Sequence, residues 1–364
     1  MTATTPRPAA ARTPLRDRVL KIAELVTTPL LPVDYLDLFD PLRSGAALRG
    51  RIEAVERETR DAATIVIRPG RDWLPHRPGQ YVRIGIDVDG VRQWRAYSIT
   101  SVLDRADGRF TITVKAIPDG KVSNHLVHRV QPGTIIQLDQ ATGEFCLPEQ
   151  VPAKALFITA GSGITPVMGI LRNHADQLTD TVLVHSSPTA EDVVFGDELR
   201  QMAAEGRIRL IEQHTDTAGM LDARSIAELV PDLHERATWA CGPVGMLEAL
   251  EEHWESIGAA ERLYTERFRP RVLVTGEGGT ITFTTNATTI EADGATPILD
   301  AAEEAGVLMP SGCRMGICFG CVLPLREGAV RDLRNGEVTT AAPGDGVLIQ
   351  TCVSAAAGAC DIDH

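Results

Sequence analysis

The chain has 364 residues, of which 43% are hydrophobic and 23% are charged, and this balance predicts a globular protein of about two to four domains. Its formal net charge of −13 argues against nucleic acid as a partner, because the phosphates would be repelled. The sequence has no apolar run of roughly 18 residues and no signal-peptide core. We therefore expect no transmembrane segment and a cytoplasmic monomer that reaches a membrane only through a partner.

Residues 1–45 are predicted to form an N-terminal extension. Its first 14 residues are rich in proline, alanine and threonine, which predicts disorder, and apolar residues at helical spacing from Leu15 to Val26 predict one amphipathic helix. We expect the proline-interrupted apolar stretch that follows to pack across the next domain. Its segment Leu30-Leu31-Pro32-Val33-Asp34-Tyr35-Leu36 resembles the front end of actinobacterial reductases that serve membrane-bound acyl-CoA desaturases.

Residues 46–150 alternate short β-rich segments with turn signals, which is typical of a small antiparallel barrel. The predicted strands are 63–68, 80–86, 110–116 and 134–138. Between them, Arg95, Tyr97 and Ser98 could together serve one flat, anionic cofactor. Tyr97 offers a ring for stacking, Ser98 a hydroxyl for a ring nitrogen, and Arg95 a planar cation for a diphosphate. Taken alone, these could equally be ordinary strand residues.

A second segment supports the cofactor interpretation. Gly120-Lys121-Val122-Ser123 opens a predicted helix, and backbone amides at a helix start form an anion site. Arg-x-Tyr-Ser followed by Gly-x-x-Ser resembles the ferredoxin-reductase superfamily, which holds flavin on such a barrel, and 141–145 matches the family's final barrel loop. The resemblance implies FAD, with FMN as the alternative. The candidate binding residues are Arg95, Tyr97, Ser98, Lys115, Gly120, Val122 and Ser123.

Residues 151–270 alternate strands with helices, which predicts an α/β domain with a doubly wound, mostly parallel sheet. The predicted strands are 155–159, 181–185, 208–213 and 237–241, and the predicted helices are 167–173, 190–204, 223–229 and 244–257. Ligands bind outside the carboxyl ends of such strands. Two glycine-containing turns, 161–163 and 241–243, follow strand ends and are therefore candidates for a nucleotide site.

Gly-x-Gly-x-Thr-Pro followed by Cys-Gly-Pro resembles the NAD(P)H domain of the same superfamily. The resemblance implies that the first loop cradles the dinucleotide phosphates, and that a threonine and a cysteine lie near the reacting nicotinamide. The implicated residues are Gly161, Ser162, Gly163, Thr165, Cys241, Gly242 and Pro243. Phe268 is the candidate for an aromatic that shields the flavin, with an ordinary core aromatic as the alternative.

The segment after the second strand of this domain favours NADPH over NADH. Ser186, Ser187 and Thr189 offer hydroxyls to a 2′-phosphate, and no acidic residue stands before Glu191 to bind a free ribose hydroxyl. The family's usual phosphate-binding arginine is not evident in this loop. Arg209 and Arg224 are therefore the candidates for that charge.

Residues 271–364 carry the most specific motif in the chain. Four cysteines have the Cys-x4-Cys-x2-Cys spacing, with a distant fourth, that is typical of a plant-type [2Fe–2S] cluster: Cys313, Cys318, Cys321 and Cys352. Glycines at positions 312, 316 and 320 would allow a tight wrap of the loop. A disulfide framework does not suit a reducing compartment, and a zinc site would favour a second Cys-x2-Cys pair.

The flanks of this motif predict a β-hairpin, at 280–284 and 288–292, and a short helix at 296–306. In this order the elements resemble a plant-type ferredoxin, which implies an α+β domain of the β-grasp type. The whole chain is thus predicted to be multidomain. It would comprise an antiparallel β-barrel flavin domain, an α/β doubly wound nucleotide domain and a ferredoxin domain.

This order predicts an NAD(P)H-dependent oxidoreductase that passes electrons from NADPH to FAD, to the [2Fe–2S] cluster and on to a terminal iron protein. The N-terminal resemblance favours a fatty acyl-CoA desaturase as that acceptor. The alternative is a haem-thiolate or ring-hydroxylating oxygenase. An alternative of another class is a non-enzymatic iron–sulfur redox sensor, which predicts no bound flavin and no oxidation of pyridine nucleotide.

Overall fold

The computed structural model describes residues 36–37, 39–103, 105–118, 120–268, 274–312, 314–316 and 319–364. The predicted helix at 15–26, the desaturase-like segment before Leu36 and two cluster cysteines, Cys313 and Cys318, lie outside these residues. The described residues form three sheets in the predicted order. No helix among them is long and apolar enough to cross a membrane. The exact domain boundaries stay predictions.

The first sheet is antiparallel and curls into a barrel, as predicted. An isolated bridge between Ile99 and Ile112 joins its two edge strands, β4 and β5. A helix, α1 (Lys121–His128), packs on the barrel through Val122 and Leu126. The six strands run in the order β4-β3-β6-β1-β2-β5 and are β1 (Arg49–Thr59), β2 (Ala62–Pro69), β3 (Tyr81–Val88), β4 (Val91–Ser98), β5 (Phe110–Lys115) and β6 (Ile135–Leu138).

The second sheet is entirely parallel and is covered by helices on both faces, which confirms the doubly wound prediction. Helices α2 (Ile164–His174) and α3 (Gly196–Ala204) pack on the face that meets the barrel. Helices α5 (Ala223–Leu229) and α6 (Val244–Ser256) cover the opposite face, and α4 (Thr215–Ala218) is a single turn. The strands run in the order β11-β10-β7-β8-β9 and are β7 (Lys154–Ala160), β8 (Asp180–Ser187), β9 (Arg209–His214), β10 (Ala237–Cys241) and β11 (Leu263–Glu266).

The predicted helix at 190–204 is wrong in its first turns, because α3 begins only at Gly196. Phe195, just before it, has a left-handed backbone with φ of 61°. The chain ahead of it is held by Asp192, a buried carboxylate that accepts a hydrogen bond from the Thr189 hydroxyl (3.1 Å). Asp192 also pairs with Arg60 Nε of the barrel at 3.1 Å. A contact between domains therefore overrides the local helical tendency of this segment.

Helix α2 fixes the nucleotide domain against the barrel. A Cβ added to Gly169 would lie 2.4 Å from the Ile99 carbonyl oxygen, so only glycine permits this approach. Arg172 donates to the Thr100 carbonyl at 2.6 Å, and the Leu103 amide donates to Asn173 Oδ1 at 2.6 Å. These contacts hold the carboxyl ends of the parallel strands close to the flavin barrel.

The third sheet is mixed, with β12 and β17 parallel and the other pairs antiparallel, as expected for a ferredoxin domain. Its helix, α7 (Ile298–Glu304), buries Ile298 and Leu299 and ends before Gly306, whose φ is 82°. The predicted hairpin is confirmed as β12 and β13. The strands are β12 (Gly276–Phe283), β13 (Thr288–Gly294), β14 (Val322–Asp332), β15 (Val338–Ala341), β16 (Val347–Gln350) and β17 (Ser354–Ile362).

Candidate functional site

Strand β4 carries a half-buried cation, Arg95, and a buried hydroxyl, Ser98. Ser98 is 3% exposed, and its Oγ has no hydrogen-bond partner among the described residues. Arg95 donates to the Trp94 carbonyl at 2.7 Å. The pKa of Arg95 is lowered to about 10, mainly by burial and in part by the positive charge of Arg314. Burial also raises the pKa of the Tyr97 hydroxyl, which stays protonated at neutral pH. An anionic cofactor with polar ring atoms fits these groups, because it would pair the cation and the hydroxyl.

The first turn of α1 lies against the loop that precedes it. Ser123 Oγ accepts the Ile117 amide and donates to the Gly120 carbonyl, both at 3.3 Å. Asn124, which the sequence analysis missed, donates to the carbonyls of Ile117 (2.9 Å) and Gly120 (2.8 Å). A Cβ on Gly120 would lie 2.5 Å from Ile117 Cγ1. This loop therefore requires glycine, and it presents the backbone amides at the start of α1, beside Val122, as a candidate anion site.

Lys115, another predicted cofactor residue, ends β5 and pairs with Asp61 at 2.6 Å. The charge of Lys115 also contributes to lowering the pKa of the buried His185 on β8. Burial is the main cause of that shift, which takes the His185 pKa to about 4. A coenzyme role for Lys115 stays a prediction.

Replacing Arg95 with alanine is expected to loosen the flavin. The lost hydrogen bond to a charged group is worth about 1.5–3 kcal/mol, or roughly 10- to 100-fold in affinity. The measurement is the flavin that remains bound after dialysis. Arg92→Ala is the matched control, because Arg92 lies on the same strand but pairs with Asp87 at the surface. Equal flavin retention in both variants would refute the role of Arg95.

The nucleotide sheet has an apolar row of side chains followed by a polar row on the face that meets the barrel. The apolar row is aromatic at its centre, where Trp239 contacts Phe157 (5.8 Å) and stacks on Tyr264 (4.9 Å). On each strand, the residue two positions after the apolar one points to the same face of the sheet. The polar row so formed crosses all five strands and consists of Glu266, Cys241, Thr159, His185 and Glu212.

Three members of this polar row, Cys241, Thr159 and His185, are fully buried. Thr159 Oγ1 and His185 Nδ1 are 2.8 Å apart, whereas His185 Nε2 has no partner among the described residues. Burial raises the pKa of Cys241 well above its usual value, so its thiol is protonated. Cys241 begins the predicted coenzyme loop 241–243, and only Ala160 separates Thr159 from the other predicted loop, 161–163.

Those two loops, 161–163 and 241–243, touch each other. Because β7 and β10 are neighbours, Gly163 packs on the backbone after Cys241, and an added Cβ would lie 2.0 Å from the Cys241 carbonyl oxygen. A Cβ on Gly242 would come within 3.3 Å of Ala160. The first loop, which contains Gly161 and Ser162, is a single 3₁₀ turn leading into α2.

The start of α2 is tied to this loop by Thr165, whose hydroxyl donates to the Ser162 carbonyl at 2.9 Å. Pro243 directly precedes the first residue of α6. The structure therefore brings both glycine-containing loops, together with Thr165 and Cys241, to one place at the carboxyl edge of the sheet. Their roles toward the coenzyme stay predictions.

The other end of this edge holds the predicted 2′-phosphate residues. Ser186 and Ser187 are buried at the end of β8, and Ser187 Oγ donates to the Thr189 carbonyl at 2.7 Å. His214, at the end of β9, lies beside Ser187, with Nδ1 3.4 Å from its Oγ. His214 is thus a polar neighbour of the predicted site that the sequence pattern did not reveal.

Of the two candidate arginines, only Arg224 lies at this edge, in the first turn of α5. Arg209 is wrong as a candidate because it begins β9, where it pairs in register with Val182, whereas Ser187 pairs with His214 at the far end. Five residues separate these positions along the strand, which is about 16 Å. The Arg209 guanidinium instead donates to the Leu229 carbonyl at 3.1 Å.

Glu266 is the main residue of the site that the sequence analysis left out. It ends β11 beside Cys241, its Oε2 has no partner among the described residues, and burial raises its pKa to about 8. Glu266 precedes the candidate aromatic Phe268 by two residues, but only the strand register places it beside Cys241. Phe268, two residues later, is 40% exposed, which leaves its ring accessible. Its role as a flavin shield stays a prediction.

In the ferredoxin domain the structure brings two of the predicted cluster ligands together. Cys321 and Cys352 are buried, and their Sγ atoms lie 3.1 Å apart. The loop around them adopts left-handed backbone at Arg314, Gly316 and Phe319. Thiolates converging on one point within a tightly wound loop fit a [2Fe–2S] cluster.

Arg314 ties this loop to α7. Its guanidinium pairs with Asp300 at 2.7 Å and with Glu303. The same three charged groups act on the pKa of Arg95 in the barrel. The ferredoxin domain therefore contributes charged groups to the surroundings of Arg95.

Family models match each of the three domains. An oxidoreductase FAD-binding domain matches residues 51–146, an oxidoreductase NAD-binding domain matches 157–252, and a 2Fe-2S iron-sulfur cluster binding domain matches 281–357. The chain therefore has FAD-binding, NAD(P)-binding and [2Fe–2S] domains.

Two relatives match most of the chain. The chain is 50% identical to an NADPH oxidoreductase of Mycobacterium tuberculosis (strain ATCC 25618 / H37Rv) over 94% of this chain and 91% of that protein. It is 30% identical to the ferredoxin reductase component of a 3-ketosteroid-9-alpha-monooxygenase of Mycobacterium tuberculosis (strain ATCC 25618 / H37Rv), over 71% of this chain and 76% of that protein.

Among solved structures, phthalate dioxygenase reductase has a similar fold, with a TM-score of 0.58 and 22% identity over 87% of this chain and 97% of that one. The modular order of flavin, nucleotide and iron–sulfur domains is common to both. The chain is an oxidoreductase, and it belongs to the ferredoxin-reductase superfamily, in the group with a C-terminal [2Fe–2S] domain.

Proposed function

We propose that this protein is an NADPH-dependent reductase that delivers single electrons to a terminal iron protein. A bound flavin accepts electrons in pairs and releases them one at a time, which is what a one-electron cluster requires. The observation that carries the proposal is the presence of FAD-binding, NAD(P)-binding and [2Fe–2S] domains in one chain. Such a chain holds every cofactor that electron transfer from NADPH to a one-electron acceptor needs.

In this proposal the residues of the chain bind and orient the cofactors. Arg95 and the α1 amides hold the flavin diphosphate, and Ser98 donates a hydrogen bond to the flavin ring. Gly163, through its contact with the Cys241 backbone, keeps the two loops close enough to hold the nicotinamide end of the coenzyme. Cys321 and Cys352, with the two cysteines outside the described residues, ligate the iron.

The preference for NADPH rests on the ribose end of the site. Hydroxyls of Ser186 and Ser187 and the cation of Arg224 would together bind a 2′-phosphate. We expect kcat/KM to be higher for NADPH than for NADH, and Arg224→Ala to reduce this ratio by about tenfold, the value of one charge-assisted hydrogen bond. Arg209→Ala, at the opposite edge of the sheet, is the control. Similar kcat/KM values for both coenzymes in the unmodified protein would overturn the preference.

An oxygenase is the acceptor class that the relatives support. A 3-ketosteroid-9-alpha-monooxygenase and glycine betaine monooxygenases are served by reductases similar to this chain. The N-terminal segment ending at Leu36 supports a second candidate, a membrane-bound fatty acyl-CoA desaturase. Both acceptors consume electrons one at a time at iron.

Reconstitution separates the two acceptors. The protein would be combined with NADPH and, in parallel, with a membrane-bound acyl-CoA desaturase and with a soluble oxygenase from the same cell. Double-bond formation in the acyl-CoA would support the desaturase, and hydroxylation of the oxygenase substrate would support the oxygenase. Coenzyme oxidation without product in either mixture would contradict both assignments.

A further inference from the structure

Two side chains from outside the cluster loop bind one carbonyl oxygen within it. Arg334, in the turn after β14, donates to the Gly316 carbonyl at 3.2 Å, and Gln350, the last residue of β16, donates to the same oxygen at 2.9 Å. Arg334 also donates to Gln350 Oε1 at 3.2 Å. Gly316 belongs to the four-residue spacer between Cys313 and Cys318, so these contacts hold the loop between two predicted ligands.

The loop comes this close to Arg334 because residue 316 is glycine. Gly316 has a left-handed φ of 72°, and an added Cβ would lie 2.5 Å from Arg334 Nη1 and 2.9 Å from Val353 Cγ1. Val353 is fully buried, and its carbonyl accepts the Leu333 amide at 2.8 Å. The turn that carries Arg334 is thereby fixed to the residue that follows Cys352.

A carboxylate orients the Arg334 guanidinium. Asp332 accepts hydrogen bonds from Nε at 3.0 Å and from Nη2 at 2.6 Å, and its Oδ1 also accepts the Arg334 amide at 2.8 Å. A planar guanidinium can pair with a carboxylate along one edge and still donate from its other nitrogen, which a lysine ammonium cannot match. Arg334 is therefore held with Nη1 directed to the cluster loop.

The guanidinium also lies within electrostatic range of two cluster ligands. The pKa of Arg334 is raised mainly by its hydrogen bond with Asp332, and in part by the charges of Cys352 and Cys321. A [2Fe–2S] cluster bound by four thiolates is an anion, and reduction adds a further negative charge. A nearby positive charge stabilises the reduced form more than the oxidised form, so it raises the reduction potential.

Arg314 differs from Arg334 in its local charge balance. It pairs with two carboxylates, Asp300 and Glu303, which together outweigh its own charge. Arg334 pairs with Asp332, and its other contacts are the uncharged oxygens of the loop and of Gln350. Of these two arginines, Arg334 is therefore the one whose positive charge acts on the cluster.

We propose that Arg334 is a positioning residue that raises the potential at which the cluster accepts an electron. The contact with Gly316 fixes where the charge stands relative to the loop, and Asp332 fixes its orientation. This inference rests on the proposed function only in taking the flavin as the source of the electron. A higher potential favours transfer from the flavin to the cluster.

The test is a redox titration of the full-length protein with dithionite, with the reduced-cluster EPR signal as the readout. Arg334→Gln is expected to lower the midpoint potential by about 59 mV, a tenfold change in the reduction equilibrium of a one-electron centre. Arg334→Lys keeps the charge and should restore most of that loss. Asp332→Asn keeps an oxygen that can accept from Arg334 but removes the negative charge, so it should raise the potential.

The opposite signs expected for Arg334→Gln and Asp332→Asn separate an effect of charge from the loss of their pair, which would move both potentials in the same direction. Arg331→Gln is the matched control, because Arg331 lies on β14 but donates to the Gly336 carbonyl at 3.0 Å rather than to the cluster loop. An unchanged potential in Arg334→Gln, an equal shift in Arg331→Gln, or the absence of a rise in Asp332→Asn would overturn the inference.

These titrations use neither NADPH nor a protein acceptor, so their outcome does not depend on the proposed function. Reduction of the cluster after NADPH is added to the unmodified protein tests that function separately. If Arg334→Gln does not retain its cluster, Asp332→Asn decides the inference alone. A raised potential in that variant supports the role of Arg334, and an unchanged or lowered potential contradicts it.

Discussion

Replacing Cys321 with serine is expected to abolish electron delivery to cytochrome c while leaving the NADPH–ferricyanide reaction within about twofold. Cys321 is buried, with its Sγ 3.1 Å from that of Cys352, so its loss removes one of four thiolates from the cluster. The flavin strand and the nucleotide edge lie in other sheets and should keep their cofactors. Iron and sulfide content, visible absorption and both reductase activities would be measured on the same preparation.

The matched control for that variant is Cys360→Ala. Cys360 is also buried in the ferredoxin domain, on β17, but its neighbours are core residues of the sheet, and burial raises its pKa to about 11. A protonated core thiol is not expected to ligate iron. Cluster loss in Cys360→Ala but not in Cys321→Ser would show that the ligands are assigned to the wrong cysteines.

Replacing Gly163 with alanine is expected to lower kcat/KM for NADPH by about 100-fold or more. The new Cβ would lie 2.0 Å from the Cys241 carbonyl oxygen, so the two loops must move apart. A displacement of about 1 Å between reacting groups costs about two orders of magnitude in rate. Steady-state ferricyanide reduction over a range of NADPH concentrations would measure the loss.

Gly245→Ala provides the control for this loop, because a Cβ on Gly245, in the first turn of α6, meets nothing within 4 Å. It should behave as the unmodified protein. Flavin and cluster spectra of both variants should be unchanged, which separates a local effect from misfolding. A Gly163→Ala protein with normal kcat/KM would mean that the contact between the two loops does not position the coenzyme.

Elements with strong local patterns could be predicted from the sequence. The parallel strands β7, β8 and β10 are apolar runs followed by glycine or helix signals, and the structure has them within two residues of the predicted ends. Helix α7 ends two residues before Gly306, the left-handed glycine that was predicted to stop it. The strand β1 was not predicted, because its sequence is mostly charged and Ile52 is its only buried side chain.

Features that depend on register could not be predicted. Glu266 joins the polar row only because β11 lies beside β10, and the choice between Arg209 and Arg224 depends on which end of β9 meets Ser187. The late start of α3 likewise depends on a contact between Asp192 and Arg60 of another domain. Sequence motifs identify the loops that carry functional residues. The pairing of strands decides which side chains meet at those loops.

The most direct test of the central claim is anaerobic rapid mixing of the full-length protein with NADPH, followed by absorbance and freeze-quench EPR. Electron transfer within one chain predicts that the flavin absorption bleaches first and that the reduced-cluster EPR signal then appears at a rate independent of protein concentration. In Cys321→Ser the bleaching should remain and the EPR signal should be absent. A cluster that stays oxidised after the flavin has bleached, or a rate that rises with protein concentration, would contradict the account.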